Sequence, residues 1–250
     1  MSVPRRAYHL LYLSIIATLI WLHSQRAARD VSPAHIAVQD PLFESIRVLC
    51  LVIYDYKQPV AAKYIKRTWG QHCNVLLFVA GQLDAELEPF VPLENCTDKS
   101  LLAREGLNYA YEYYKDDADW FLRIDDFSFV AMENLRYMLA KHKPKQALYM
   151  GYELREPLNK QAFNYWRCGY VLSWEALRRF QAESKYCGQR WEQRLKLSRC
   201  LRQAGVATAS STDELGYETF IPIASFELFL EDKHLDGHAA QGVSISFNAA

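Results

Sequence analysis

The run Asp117-Ala-Asp-Trp-Phe-Leu-Arg-Ile-Asp125-Asp126-Phe127 places two adjacent carboxylates directly after an apolar stretch. Two acids where a strand gives way to a loop present oxygen donors, an arrangement that suits a hard divalent cation bridging a diphosphate. The pattern stops there, because Phe127 has no oxygen to offer. On their own, Asp125 and Asp126 could equally be loop acids that cap the next segment. His234 and His238 follow a charged loop and read as solvated residues rather than zinc ligands.

The elements that must hold these acids alternate strand and helix. Ile46 to Tyr54 is an almost unbroken apolar run, the mark of a strand buried on both faces of a parallel sheet. Pro59 to Gly70 reads as a helix closed by glycine, and Val75 to Ala80 as the next strand. Leu101 to Tyr114 reads as an amphipathic helix, Trp120 to Ile124 as a strand, Ala131 to His142 as a helix and Ala147 to Gly151 as a strand. This βαβ alternation implies a three-layer α/β sheet with ligands at the carboxyl ends of its strands, where Asp125 and Asp126 lie. Trp69, Trp120 and Trp174 each fall in such an element and read as core. On the helix, Tyr113 and Tyr114 fall on the apolar face, while Tyr109 and Tyr111 flank the polar face made by Arg104, Glu105, Asn108 and Glu112.

Lys plus Arg and Asp plus Glu both number 29, and this balance gives no reason to expect nucleic acid as a partner. Sixteen Tyr and six Trp in 250 residues supply a sizeable core. Ahead of it, Arg5-Arg6 precede an apolar run from Ala7 to Leu22. At about 1.5 Å per residue that run spans roughly 24 Å, short but sufficient for the thinner membranes of the early secretory pathway. The paired arginines favour a cytosolic N-terminus; the competing reading, a cleaved signal peptide, needs small residues at the first and third positions before the cut, and cutting after Ala27 or Ala28 puts Gln25 or Arg26 at the third. The expected organisation is a cytosolic tail over 1–6, a signal-anchor helix over 7–23, a stem over 24–43 and a lumenal domain over 44–250. Six cysteines without a Cys-x-x-Cys pair argue against zinc and for disulfides, and Asn95-Cys96-Thr97 is a glycosylation sequon.

Several stretches together resemble one family. Ile65-Lys-Arg-Thr-Trp-Gly70, Asp119-Trp-Phe-Leu122 running into Asp125-Asp126, Asn134-Leu-Arg136, and Gly169-Tyr-Val-Leu-Ser173 ahead of a helix recur in the order found in the β1,3-glycosyltransferases of glycosyltransferase family 31. The likeness is to the core-1 β1,3-galactosyltransferase branch and its inactive chaperone relative, and it covers roughly residues 46 to 248. It implies the A-type glycosyltransferase fold, UDP-galactose as donor, manganese as metal, and N-acetylgalactosamine on Ser or Thr of a glycoprotein as acceptor. It also implies bridges from Cys50 to Cys73 and from Cys187 to Cys200, leaving Cys96 and Cys168 free.

Carried over residue by residue, the same resemblance exposes departures. The family's three consecutive aspartates are Asp125, Asp126 and Phe127, and its C-terminal histidine ligand is Asn248. The glycine-rich approach to Gly169 is Trp166-Arg167-Cys168, and the acidic pair that deprotonates the acceptor is Gln193-Arg194. Asp125, Asp126, Arg167 and Gly169 remain as a vestigial donor site. Arginine cannot accept a proton at physiological pH, so the base position has lost its function. The sequence therefore leads to a non-catalytic, chaperone-like relative whose partner is a family 31 transferase, with Tyr109 and Tyr111 as the contact. An active β1,3-galactosyltransferase with a modified donor site is the alternative. A decayed copy is a third expectation, from Ala239-Ala240 where the family has paired cysteines and from the end at Ala250.

Overall fold

The computed structural model of the chain describes residues 40–94, 96–155, 162–165, 168–183 and 196–221. Among these, the sheet strands are β1 (Val48–Ile53), β2 (Val75–Ala80), β3 (Phe90–Pro92), β4 (Trp120–Asp125), β5 (Leu148–Gly151), β8 (Tyr170–Ser173) and β9 (Ala207–Thr208). A separate hairpin pairs β6 (Glu153–Arg155) with β7 (Ala162–Asn164). The helices are α1 (Val60–Arg67), α2 (Lys99–Tyr114), α3 (Met132–Leu139), α4 (Trp174–Glu183) and α5 (Lys196–Gln203).

The sheet order is β3-β2-β1-β4-β8-β5-β9, and within it β8 runs antiparallel to both neighbours. It is a mostly parallel sheet. All six residues of β1 are buried, as an apolar run with no polar side demands. Because side chains alternate across a strand, Leu49, Leu51 and Ile53 join the core beneath α2, α4 and α5. Val48, Cys50 and Val52 join the opposite core beneath α1 and α3. The result is three layers with the sheet in the middle. Gly106 sets the depth of α2, since a Cβ there would meet Leu51 Cδ2 at 2.9 Å.

The antiparallel β8 and the β6–β7 hairpin carry no βαβ signature and went unread in the sequence. The helix read from Pro59 to Gly70 is shorter: α1 ends at Arg67, and Trp69–His72 form a separate 3₁₀ turn. Gly70 is not a left-handed cap. It is buried where a Cβ would sit 2.6 Å from the Ile65 carbonyl oxygen, so what it supplies is room. The tyrosines of α2 also differ from the sequence reading. Tyr113 is 58% exposed, whereas Tyr109 and Tyr111 are half-buried and pack against the core. Because Tyr109 and Tyr111 pack against that core, the edge assigned to them is not a free aromatic surface. Trp69 and Trp120 are core residues, and half-buried Trp174 donates its indole N–H to the Lys115 carbonyl at 2.9 Å.

Two covalent or ionic ties fix the sheet's first strand. A disulfide joins Cys50 in β1 to Cys73 after the 3₁₀ turn. Cys200 is also disulfide-bonded, to a partner outside the described residues, and Cys96 and Cys168 are free. Arg136 of the Asn134-Leu-Arg136 motif is fully buried. It donates to Asp40 at 2.7 Å, to the His72 carbonyl at 2.6 Å, to Asn74 at 2.9 Å and to the Ile46 carbonyl at 3.1 Å. Residues 40–43, read above as stem, are thus held against the domain. No described helix is long and apolar enough to cross a membrane, and the run from Ala7 to Leu22 lies outside the described residues.

Candidate functional site

The strand order reverses between β1 and β4, and the carboxyl ends of these neighbours lie side by side with Ile53 opposite Asp125. A crevice at such a switch point is where α/β sheets bind ligands. Tyr54 and Asp55 leave β1 there, and Asp125, Asp126 and Phe127 leave β4. Antiparallel β8 begins at the same end, so Gly169 arrives beside them. Its φ is +78°, and a Cβ would stand 3.0 Å from the Arg123 carbonyl oxygen. Glycine is required here both for the left-handed backbone and for the close approach.

Arg123 and Asp125 are two residues apart on β4 and point to the face covered by α2, the face on which Phe121 is also packed. Arg123 is fully buried, and its Nη1 stands 3.0 Å from Asp125 Oδ1, a close ion pair without hydrogen-bond geometry. The other oxygen of Asp125 faces Lys99 Nζ at 3.6 Å, from the first residue of α2. Lys99 also sits 5.3 Å from the centre of the Phe127 ring, which is 63% exposed. Asp125 is therefore bracketed by two cations.

Asp126 has the opposite surroundings. Its backbone N–H donates to the Ile53 carbonyl at 3.1 Å, which anchors the turn out of β4. The side chain is 4% exposed and its Oδ1 has no hydrogen-bond partner. Burial pushes its carboxyl up to about 6, with Lys99 opposing the shift and Asp125 adding to it. Next door, Tyr54 donates to the Gln82 carbonyl at 3.2 Å, and burial raises its phenol to about 12. Gln82 belongs to the rim of a cleft of about 1080 Å³ at the ends of β2 and β3, lined by Gly81, Leu83, Phe90, Leu93 and Tyr109 among others.

The structure thus brings Asp125, Asp126, Phe127 and Gly169 together. Arg167, Gln193, Arg194, Asn248, Asn95 and Cys187 lie outside the described residues. Sequence reasoning missed Lys99. A lysine at the first position of a helix is the wrong sign for the helix dipole, and that mismatch was the available signal.

Residues 61–175 match the family model described as Fringe-like. Over 197 residues the chain is 31% identical to glycoprotein-N-acetylgalactosamine 3-beta-galactosyltransferase 1 of Xenopus laevis, a match covering 76% of this chain and 54% of that protein. Both findings support assignment of the chain to glycosyltransferase family 31. It spans about half the length of the curated relative it matches. Two solved structures are similar at low identity. One is a glycosyltransferase involved in glycosylation of the major capsid of PBCV-1, with TM-score 0.41 and 14% identity, covering 66% of this chain and 81% of that one. The other is the 4-diphosphocytidyl-2C-methyl-D-erythritol synthase of Anaerococcus prevotii, with TM-score 0.43 and 10% identity, covering 74% of this chain and 96% of that one.

The manganese that family 31 resemblance implies needs several oxygen or imidazole donors converging on one point. Among the described residues, no group of three His, Cys, Asp or Glu side chains does so. Asp125 is committed to Arg123 and Lys99, Asp126 is turned into the protein, and Phe127 contributes no donor. The residues at this strand end do not fit a divalent cation.

Proposed function

We propose that this family 31 chain has the A-type glycosyltransferase fold and acts as a non-catalytic, chaperone-like relative of the core-1 β1,3-galactosyltransferases. The observation that carries this reading is the bracketing of Asp125 by Arg123 and Lys99, which satisfies internally the acid that a transferase would commit to its metal. The sequence adds Arg194 at the base position, where a guanidinium cannot take a proton from an acceptor hydroxyl. Loss of a general base typically costs about 10²- to 10⁴-fold in rate, before any loss of charge stabilisation on the departing diphosphate. Meanwhile the buried strands, the disulfides and the Arg136 hub keep the domain folded, which a binding role requires. Arg5-Arg6 ahead of the apolar run supports a type II anchor in the endoplasmic reticulum or Golgi, with the domain in the lumen and a glycan on Asn95.

A second reading has one observation in its favour. Lys99 puts a fixed positive charge beside the strand-end acids, where a departing diphosphate needs one, so an active β1,3-galactosyltransferase with a modified donor site is the alternative. Purified full-length chain should transfer no galactose from UDP-galactose to an N-acetylgalactosaminyl peptide, with or without manganese. Co-expression with a core-1 transferase should raise that enzyme's soluble activity. Robust transfer by the purified chain would overturn the proposal, and so would co-expression that leaves every family 31 transferase tested unchanged.

A further inference from the structure

We propose that Lys99 is a built-in replacement for the divalent cation, so that this chain binds a nucleoside diphosphate or its sugar ester without metal. The inference deepens the reading above, since it takes the nucleotide class of ligand from family membership, but it concerns binding and not turnover.

Three features of the site lead to it. The Lys99 ammonium stands 3.6 Å from Asp125 Oδ2, so a compact positive charge sits beside the acid. Its side chain is 35% exposed, so donors remain free on the side away from Asp125. A diphosphate entering at the β1–β4 switch point would meet an ammonium already held in place, against the open face of Phe127.

The placement of Lys99 is also unfavourable for its own helix. It opens the 16-residue helix α2, where the unpaired backbone N–H groups already carry positive partial charge. Asp98 offsets that charge by accepting from the N–H groups of Ser100 and Leu101, and Asp125 offsets Lys99. An arginine buried behind Asp125 keeps that acid fixed, so Asp125 orients the lysine rather than leaving to bind a cation. A lysine that meets phosphate as a point charge is ordinary chemistry for phosphate-binding loops.

The test is titration calorimetry of UDP into the purified full-length chain, in EDTA and then in excess manganese, with Lys99→Gln and Lys99→Arg alongside. The expected result is binding in EDTA with an affinity that manganese changes by less than about twofold. Lys99→Gln should bind roughly 10- to 100-fold more weakly, the value of one charge-assisted contact, and Lys99→Arg should retain most of the affinity. UDP binding that appears only with manganese, no UDP binding in either condition, or Lys99→Gln binding as tightly as wild type would each overturn the inference. The wild-type comparison in EDTA and manganese decides the matter even if Lys99→Gln fails to fold. Failure here leaves the chaperone-like reading standing. Conversely, metal-free UDP binding accompanied by galactose transfer would sustain this inference and sink that reading.

Discussion

Arg123 Nη1 lies 3.0 Å from Asp125 Oδ1, two residues along the same strand and on the same face of the sheet, with the guanidinium fully buried. In a strand that is otherwise apolar, a buried arginine needs that acid. The pair converts what the sequence presents as a ligand site into part of the fold. Asp125→Ala should therefore destabilise the protein by about 3 kcal/mol, the low end for breaking a buried pair, because Asp125 keeps 14% side-chain exposure. Urea denaturation of wild type and variant measures it. An acid kept only to bind metal would show no such loss in the metal-free protein, so unchanged stability would return Asp125 to the status of a ligand.

Much of this fold could be read along the chain because it is built from local signals. The apolar runs of β1, β2 and β4 were found nearly to the residue, since a strand buried on both faces has no other way to look. Asp125 and Asp126 fell at a strand end for the same reason. What escaped was set by contacts distant in sequence. The Lys99–Asp125 pair joins residues 26 positions apart, and only the packing of α2 onto the Arg123 face of β4 brings them together. The exposure of Tyr113, and the packing of Tyr109 and Tyr111 against the core, depend on what α2 meets in the fold, which helical spacing alone does not give. β8 runs against the parallel grain, which its four buried residues cannot announce.

The buried acid predicts a pH dependence of stability. Burial raises the Asp126 carboxyl from 3.8 to about 6, so the folded protein holds this proton more tightly than the unfolded chain. Its contribution to stability is complete below the unfolded value and is lost as pH rises through about 6. The loss is on the order of 2–3 kcal/mol over that window. Asp126→Asn should flatten this part of the profile, so wild type should lose stability relative to the variant as pH rises from about 4 to about 6.5. Parallel profiles for the two proteins would show that Asp126 is not the group responsible.

The Cys50–Cys73 bridge closes a loop with a sequence separation of 23 residues around α1 and the Trp69–His72 turn. In the chain-entropy picture a loop of this length stabilises by roughly 3 kcal/mol through restriction of the unfolded chain. Both sulfurs also pack against Met132 Sδ, at 3.9 and 4.0 Å, so the bridge is part of the core beneath α3. The double variant Cys50→Ala, Cys73→Ala should unfold at lower urea with native spectroscopic signatures before the transition. An unchanged midpoint would show that packing around Met132, and not the covalent link, fixes the turn.

Arg136 makes the sharpest test of how the Asn134-Leu-Arg136 motif works. Its planar fork satisfies Asp40, Asn74 and the carbonyls of Ile46 and His72 at once, while the Phe43 ring lies 4.8 Å from the guanidinium carbon. A lysine keeps the charge but offers one compact ammonium, which cannot reach acceptors spread around a fork. Arg136→Lys should leave buried acceptors unpaired and cost about 2–4 kcal/mol. The loss should be local before it is global, because residues 40–46 reach the domain through Asp40, Phe43 and Ile46. Hydrogen exchange will therefore locate it: the Ile46 amide, which donates to the Leu42 carbonyl at 2.8 Å, should lose protection, while amides of β1 keep theirs. Equal loss across both segments would mean that Arg136 supports the whole sheet rather than clamping the entry of the chain into it.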